Sequence, residues 1–197
     1  MIEHLVVDLG GVAAQFRPEI RLAALAARTG LDPAVVGARL FGSGLDDSAE
    51  LGAIPAGQIA DRVIGQLDGR IDLEALVNCW ALAFDPSTLL LQRLRHLDMR
   101  VTLFTNNGPL LDRCLGGPLC EIDEAFDDII CSWHLRARKP SDEAFAGAVE
   151  RLGGRPERIL LLDDSSANVA AARRNGWNAA YVNSGSAMAA LDRWFGH

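Results

Sequence analysis

No long apolar run, no excess of positive charge and no paired-cysteine spacing marks this chain of 197 residues, and each absence removes a class of function. No stretch has membrane-spanning length. The 19 Lys and Arg are outnumbered by 26 Asp and Glu, for a formal net charge of -7 and a pI near 5.0. Neither nucleic acid nor an anionic membrane surface is then an expected partner, because both need a basic footprint. Four cysteines, Cys79, Cys114, Cys120 and Cys131, lack C-x-x-C spacing, which points to packing thiols rather than a disulfide framework or a cysteine metal site. Fixed-period repeats and low-complexity tracts are missing too. The chain runs into Leu5-Val6-Val7 with no basic leader, so the expected location is cytoplasmic.

What is present is an ordinary globular composition, 49% apolar and 23% charged, with a mean hydropathy of +0.11. The length suits one good core, or a core with a small appendage. Leu5 through Val12 reads as a short buried strand that delivers Asp8 into a glycine turn. Helical spacing then dominates, over Pro18 to Gly30, from Asp32-Pro33 to about Leu40, and over Pro55 to Leu67 and Leu73 to Leu82, with no convincing strand between Gln15 and about Phe84. This pattern predicts a small all-helical cap at 15–85, inserted after the first strand.

From Pro86 onward strands alternate with helices. Arg100 to Phe104, Asp128 to Ser132, Ile159 to Leu162 and Asn178 to Val182 have strand character; Ser87 to Leu97, Ser141 to Leu152 and Ser166 to Asn175 are amphipathic helices. Such alternation predicts a Rossmann-like three-layer α/β core, residues 1–14 and 86–197, with a parallel five-strand sheet. Ligands of such sheets bind outside the carboxyl ends of the strands. Asp8, Thr105 and Asp163-Asp164 fall at that edge, and the loop after the third strand carries Lys139 toward it. The apolar tail around Trp194-Phe195 suits either the core or an interface between copies, and packing on the core is the expectation.

These residue types suit phosphoryl transfer. Mg²⁺ takes hard oxygen ligands and usually only one or two protein carboxylates, which Asp8 and one of Asp163 or Asp164 would supply. A carboxylate beside that cation can attack phosphorus, giving an aspartyl phosphate. Thr105, Asn106 and backbone N–H groups at the next helix start would hold the equatorial oxygens. Lys139 would bridge the phosphate and Asp8.

The ordered set Val7-Asp8-Leu9-Gly10-Gly11-Val12, Phe104-Thr105-Asn106-Asn107, Arg138-Lys139-Pro140 and Leu162-Asp163-Asp164-Ser165-Ser166-Ala167-Asn168 resembles the four motifs of the haloacid dehalogenase-like hydrolase superfamily. The helical insertion is similar to its small cap, and Leu51-Gly52-Ala53-Ile54 and Cys79-Trp80 resemble its phosphatase branch with an Asp-x-Gly-Gly first motif. The resemblance implies Asp8 as nucleophile and metal ligand, the Gly10 carbonyl as a metal ligand, and Thr105, Asn106 and Lys139 as phosphate-binding residues. It makes Asp164 the closer metal carboxylate, with Asp163 beside it. Most phosphatases of the superfamily carry a second Asp two residues after the nucleophile as general acid and base. This chain has Gly10 there, which predicts slow turnover, leaving groups that need little protonation such as sugar 1-phosphates or acyl phosphates, or a borrowed proton relay. Gln15 and Arg17, just past the first motif, are candidate substrate contacts.

The expected activity is Mg²⁺-dependent hydrolysis of a small phosphorylated metabolite. A haloacid-type dehalogenase, in which Asp8 attacks carbon, is the alternative enzyme. A non-catalytic binder of phosphorylated metabolites is the alternative outside catalysis.

Overall fold

The computed structural model describes residues 1–196. The strand β1 (His4–Val7) leads to β2 (Ala14–Phe16) and then to helical segments α1 (Pro18–Thr29) and α2 (Pro33–Gly37), which continues into a π-turn at Ala38–Gly42. Next come α3 (Leu45–Glu50), α4 (Ala56–Gln66) and α5 (Leu73–Ala81), and the chain returns through β3 (Phe84–Pro86). The remainder runs α6 (Thr88–Arg95), β4 (Arg100–Thr105), α7 (Leu110–Leu115), α8 (Cys120–Asp123), β5 (Asp128–Cys131), α9 (Ser132–Leu135), α10 (Asp142–Leu152), β6 (Ile159–Asp163), α11 (Ser166–Arg174), β7 (Asn178–Tyr181) and α12 (Ala187–Phe195).

Five parallel strands form the central sheet in the order β5-β4-β1-β6-β7. The architecture is the α/β, Rossmann-like core expected from the strand and helix alternation. β1 and β6 read as near-continuous apolar runs because helices cover both faces of the sheet. Val6, Phe104, Ile130 and Leu161 pack on one face against Phe145, Ala148, Val169 and Trp177 of α10, α11 and the turn after α11. Leu5, Val7, Leu103 and Leu162 pack on the other against Leu90, Leu94, Leu111 and Leu191. Ser141 and Ser165 cap α10 and α11 by accepting from the N–H groups three residues on, and Gly153 ends α10 in the left-handed region. Leu191 of α12 is buried in this core while Trp194 is 40% exposed. Among the described residues no helix is long and apolar enough to cross a membrane.

β2 and β3 pair antiparallel, with Phe16 opposite Phe84 and their ring centroids 5.2 Å apart. No strand was expected between Gln15 and Phe84, and this ribbon is the difference. Its strands have three residues each, too few for an alternating pattern to show. The five helices between them bury Leu25, Leu40, Ile59, Val63, Leu76 and Trp80 in one apolar cluster continuous with the Leu5, Val7 and Leu103 face of the sheet. They are tied down beyond the ribbon as well. Arg138 Nη1 donates to Asp47 Oδ1 at 2.6 Å and Glu50 Oε2 at 3.0 Å, Ser132 Oγ donates to the Glu50 carbonyl at 2.8 Å, and Ala49 rests on Gly108.

Candidate active site

The strand order places the ends of β4, β1 and β6 side by side, so Thr105, Asp8 and Asp163 converge on one edge. Asp8 follows β1 directly, its N–H donating to the Leu162 carbonyl at 2.9 Å while its own carbonyl accepts from Ala13 N–H at 3.2 Å. That tight return needs a positive φ at Gly11, 81°, a conformation other residues adopt at a cost.

Lys139 is the hub. Its Nζ donates to Asp8 Oδ1 at 2.9 Å, to Asp163 Oδ2 at 2.7 Å and to the Phe104 carbonyl at 2.7 Å, which uses all three ammonium hydrogens. The side chain is 1% exposed. Burial works against its charge, but the two carboxylates prevail and raise its pKa. Asn106 holds the same residue by its backbone, Nδ2 donating to the Lys139 carbonyl at 2.8 Å and Oδ1 accepting from Lys139 N–H at 2.9 Å. The Asn106 amide therefore positions the lysine.

The three acids differ in availability. Asp163 is fully buried; Oδ1 accepts from Ser165 N–H and Asn168 Nδ2, each at 2.9 Å, and Oδ2 from Lys139 and Asn168. Asp8, 8% exposed, has its carboxyl pushed up to about 6 by burial, with Lys139 opposing and Asp163 adding to the rise. Asp164 is exposed and its carboxyl is raised by partial burial and then by Asp163. One oxygen from each of the three lies within 4.8 Å of the others, a spacing that suits a shared cation.

Thr105, 2% exposed, accepts from Asn107 Nδ2 at 2.8 Å, which leaves its own hydroxyl proton free to donate. Asp8, Gly10, Thr105, Asn106 and Lys139 line one side of a cavity of about 340 Å³. The helical insertion closes the other side with Phe16, Arg21, Asp46, Glu50, Trp80 and Phe84. Gly10 has ordinary room for a side chain, since a Cβ there would meet Phe16 Cβ at 3.5 Å.

Two sequence candidates fall elsewhere. Gln15 lines an adjoining groove with Gly10, Gly11, Phe16 and Asp164, and is not part of the main cavity lining. Arg17 pairs with Asp85 at 3.1 Å and donates to Gln15 on the exposed ribbon, outside the cavity lining. Arg21 was missed as a cavity residue. Its signal was its place four residues before Leu25, on the buried stripe of α1. A second overlooked signal is that Lys139 is the only lysine in the chain.

The fold is shared with several solved structures. A predicted HAD-like (haloacid dehalogenase-like) family hydrolase from Porphyromonas gingivalis is 24% identical with a TM-score of 0.80, over 100% of this chain and 99% of that one. A HAD family enzyme from Bacteroides thetaiotaomicron, in complex with magnesium and inorganic phosphate, is 20% identical with a TM-score of 0.73, over 94% and 96%. The L-2-haloacid dehalogenase from Xanthobacter autotrophicus with chloropropionic acid covalently bound is 18% identical with a TM-score of 0.61, over 99% and 84%. No curated protein matches in a comparison of sequences. The family model for haloacid dehalogenase-like hydrolase matches residues 2–176, nearly the whole chain, and the protein belongs to that family of hydrolases.

Proposed function

We propose that this hydrolase is a Mg²⁺-dependent phosphatase acting on a small phosphorylated metabolite through an aspartyl phosphate on Asp8, with the helical insertion as its cap. The observation that carries the reading is the division of labour among the three acids. Asp163 is saturated by Lys139, Ser165 and Asn168, whereas Asp8 and Asp164 keep oxygens for a cation. The donor set fits Mg²⁺, which favours hard oxygens from one or two carboxylates; Asp8, Asp164 and the Gly10 carbonyl would hold it, with Asp163 beside them. Bound there, it would screen the repulsion between the Asp8 carboxylate and the phosphoryl oxygens.

The chain's own groups account for the rest. Lys139 engages Asp8 through Oδ1 and holds the carboxylate beneath the cavity for attack on phosphorus. The Asp8 O–P bond forms as the bond from phosphorus to the leaving oxygen breaks. Thr105 donates to an equatorial oxygen, and the Lys139 charge stabilises the negative charge gathered there. Asn106 contributes by keeping the Lys139 backbone in register and by its place in the cavity wall. Water then cleaves the acyl phosphate and regenerates Asp8. With Gly10 where an acid would stand, the leaving oxygen departs without that proton, which favours leaving groups of low basicity.

Phosphate release from a panel of phosphorylated metabolites, with Mg²⁺ and with a chelator, tests the proposal. Release that requires Mg²⁺ and disappears in Asp8→Asn is expected. Absence of any release above Asp8→Asn across the panel would instead favour the non-catalytic binder. A second enzymatic reading, dehalogenation of a haloacid, draws on Gly10, because that chemistry dispenses with the acid. Metal-independent chloride release from 2-chloropropionate would establish it in place of the phosphatase.

A further inference from the structure

The cavity that Asp8 lines also carries, on its helical-insertion side, a cation with too few partners. Arg21 is 3% exposed. Its Nε donates to the Trp80 carbonyl at 3.1 Å, and its guanidinium carbon stands 4.2 Å from the centre of the Trp80 ring, with the Phe16 and Phe84 rings at 5.6 and 5.5 Å. The buried Nη2 has no hydrogen-bond partner. No carboxylate forms an ion pair with Arg21 among the described residues. A guanidinium carries five donors in a planar fork, and a buried charge left without acceptors is expensive.

Two acids share this cavity wall without curing the deficit. Glu50 already accepts from Arg138, and both Asp46 and Glu50 have carboxyls raised by burial. Burial lowers the Arg21 pKa to about 10 even though Asp46 and Glu50 act to raise it. The rest of the lining is largely apolar, with Leu22, Phe41, Ile59 and Val63. A neutral hydroxyl would accept one of the idle hydrogens and leave the others unmet. A carboxylate matches the fork with two parallel bonds and so supplies the acceptors that Arg21 lacks.

We infer that Arg21 determines specificity in this cavity, and that the substrate is a small phosphate ester whose leaving group is an apolar body ending in a carboxylate. The inference rests on the phosphatase reading above. The phosphoryl group sits over Asp8 and Lys139, the apolar body lies along the aromatic wall, and the carboxylate meets Arg21. A cavity of about 340 Å³ restricts the ligand to a small molecule.

The test uses carboxyphenyl phosphates, whose phenolate leaving groups need little protonation, and the corresponding carboxamides, assayed with Mg²⁺ on wild type, Arg21→Met and Arg21→Lys. Wild type should prefer the carboxylate at least about tenfold in kcat/KM, as a site built for a polar group rejects the analogue lacking it. Arg21→Met should abolish the preference, and Arg21→Lys, with charge but no fork, should keep part of it. Because the readout is a ratio within one variant, general loss from mispacking cancels. Calorimetry of the same pairs with Asp8→Asn measures the preference without altering Arg21, should Arg21→Met fail to fold. Equal hydrolysis of both series by wild type, or a preference that survives Arg21→Met, overturns the role of Arg21 and leaves the phosphatase standing. Carboxylate-dependent binding to Asp8→Asn with no phosphate released by wild type keeps the anchor and overturns the hydrolysis. Equal binding of both series to Asp8→Asn overturns the anchor.

Discussion

Gly11 and Asp164 stand so close that no side chain fits between them: a Cβ on Gly11 would lie 1.9 Å from Asp164 Oδ2. Gly11 also has φ 81°, so an alanine there would carry backbone strain of about 1–2 kcal/mol in addition to the collision. The carboxylate is the part able to move, because Asp164 is exposed whereas the turn is bound into β1 and the ribbon. Gly11→Ala should therefore weaken Mg²⁺ binding by about 10–100-fold, the range found when groups that orient a metal ligand are disturbed. Far-ultraviolet dichroism should stay close to wild type. Calorimetric titration with Mg²⁺ checks this, and unchanged affinity would remove Asp164 from the metal site.

Gly10 behaves differently although it is the neighbour. Its prospective Cβ makes only ordinary contact with Phe16, at 3.5 Å, and the residue lines the cavity. A Cβ at this position fits without displacing anything, and the cavity it borders is the place an acid would have to reach. General acid and base help contributes about 10²–10⁴-fold where a leaving group needs it. Gly10→Asp should thus raise kcat on alkyl phosphates by about tenfold or more, a fraction of that range because the new carboxyl has no supporting contacts. Acetyl phosphate, whose leaving group departs as a weak base, should change far less. The ratio of the two rates is the measurement, and a parallel change in both would show that proton transfer does not limit this site.

Proton linkage at Asp8 gives a third outcome. Burial pushes its carboxyl up to about 6, and a cation is held by the carboxylate form. Below about pH 6 a proton must leave as Mg²⁺ binds, so affinity should fall as pH drops from 7 to 5, approaching about tenfold per unit at the acid end. Above about 7 Asp8 is already ionised and the dependence should flatten. Calorimetry in buffers of different ionisation enthalpy counts the protons released near pH 6. Asp8→Asn should release fewer, and equal release in both would assign the proton to another group.

The sheet and most of the site were legible because the relevant residues interrupt simple patterns. Asp8, Thr105 and Asp163 are polar residues at the ends of apolar runs, and strand alternation with helices puts those ends on one edge. The ribbon of Ala14–Phe16 and Phe84–Pro86 escaped notice because it depends on a pairing across the whole insertion and has no local period. Arg21 was hidden for a related reason. A long cationic side chain on a helical stripe commonly reaches out to water, and its burial here is set by Trp80, 59 positions away. The commitment of Asn106 to Lys139 likewise joins loops 33 positions apart, beyond anything spacing can show.

The solitary lysine turns the hub of the site into a probe of its own integrity. Lys139 is the only lysine in the chain, its side chain is 1% exposed, and Asp8 and Asp163 hold it in the charged form, which does not acylate. Its raised pKa means that the stabilisation it provides is present below the ordinary lysine range and is lost only as pH rises through the higher folded value. At pH 8 the native protein should therefore take one acetyl group from an amine-directed reagent, at the exposed Met1 amine, and a second only on unfolding in urea. Asp8→Asn removes one of the two carboxylates that hold the ammonium, so it should speed labelling of Lys139 under native conditions. Intact-mass spectrometry with peptide mapping reads both sites. Rapid native acetylation of Lys139 in wild type would show that the ammonium is not locked between Asp8, Asp163 and the Phe104 carbonyl in solution.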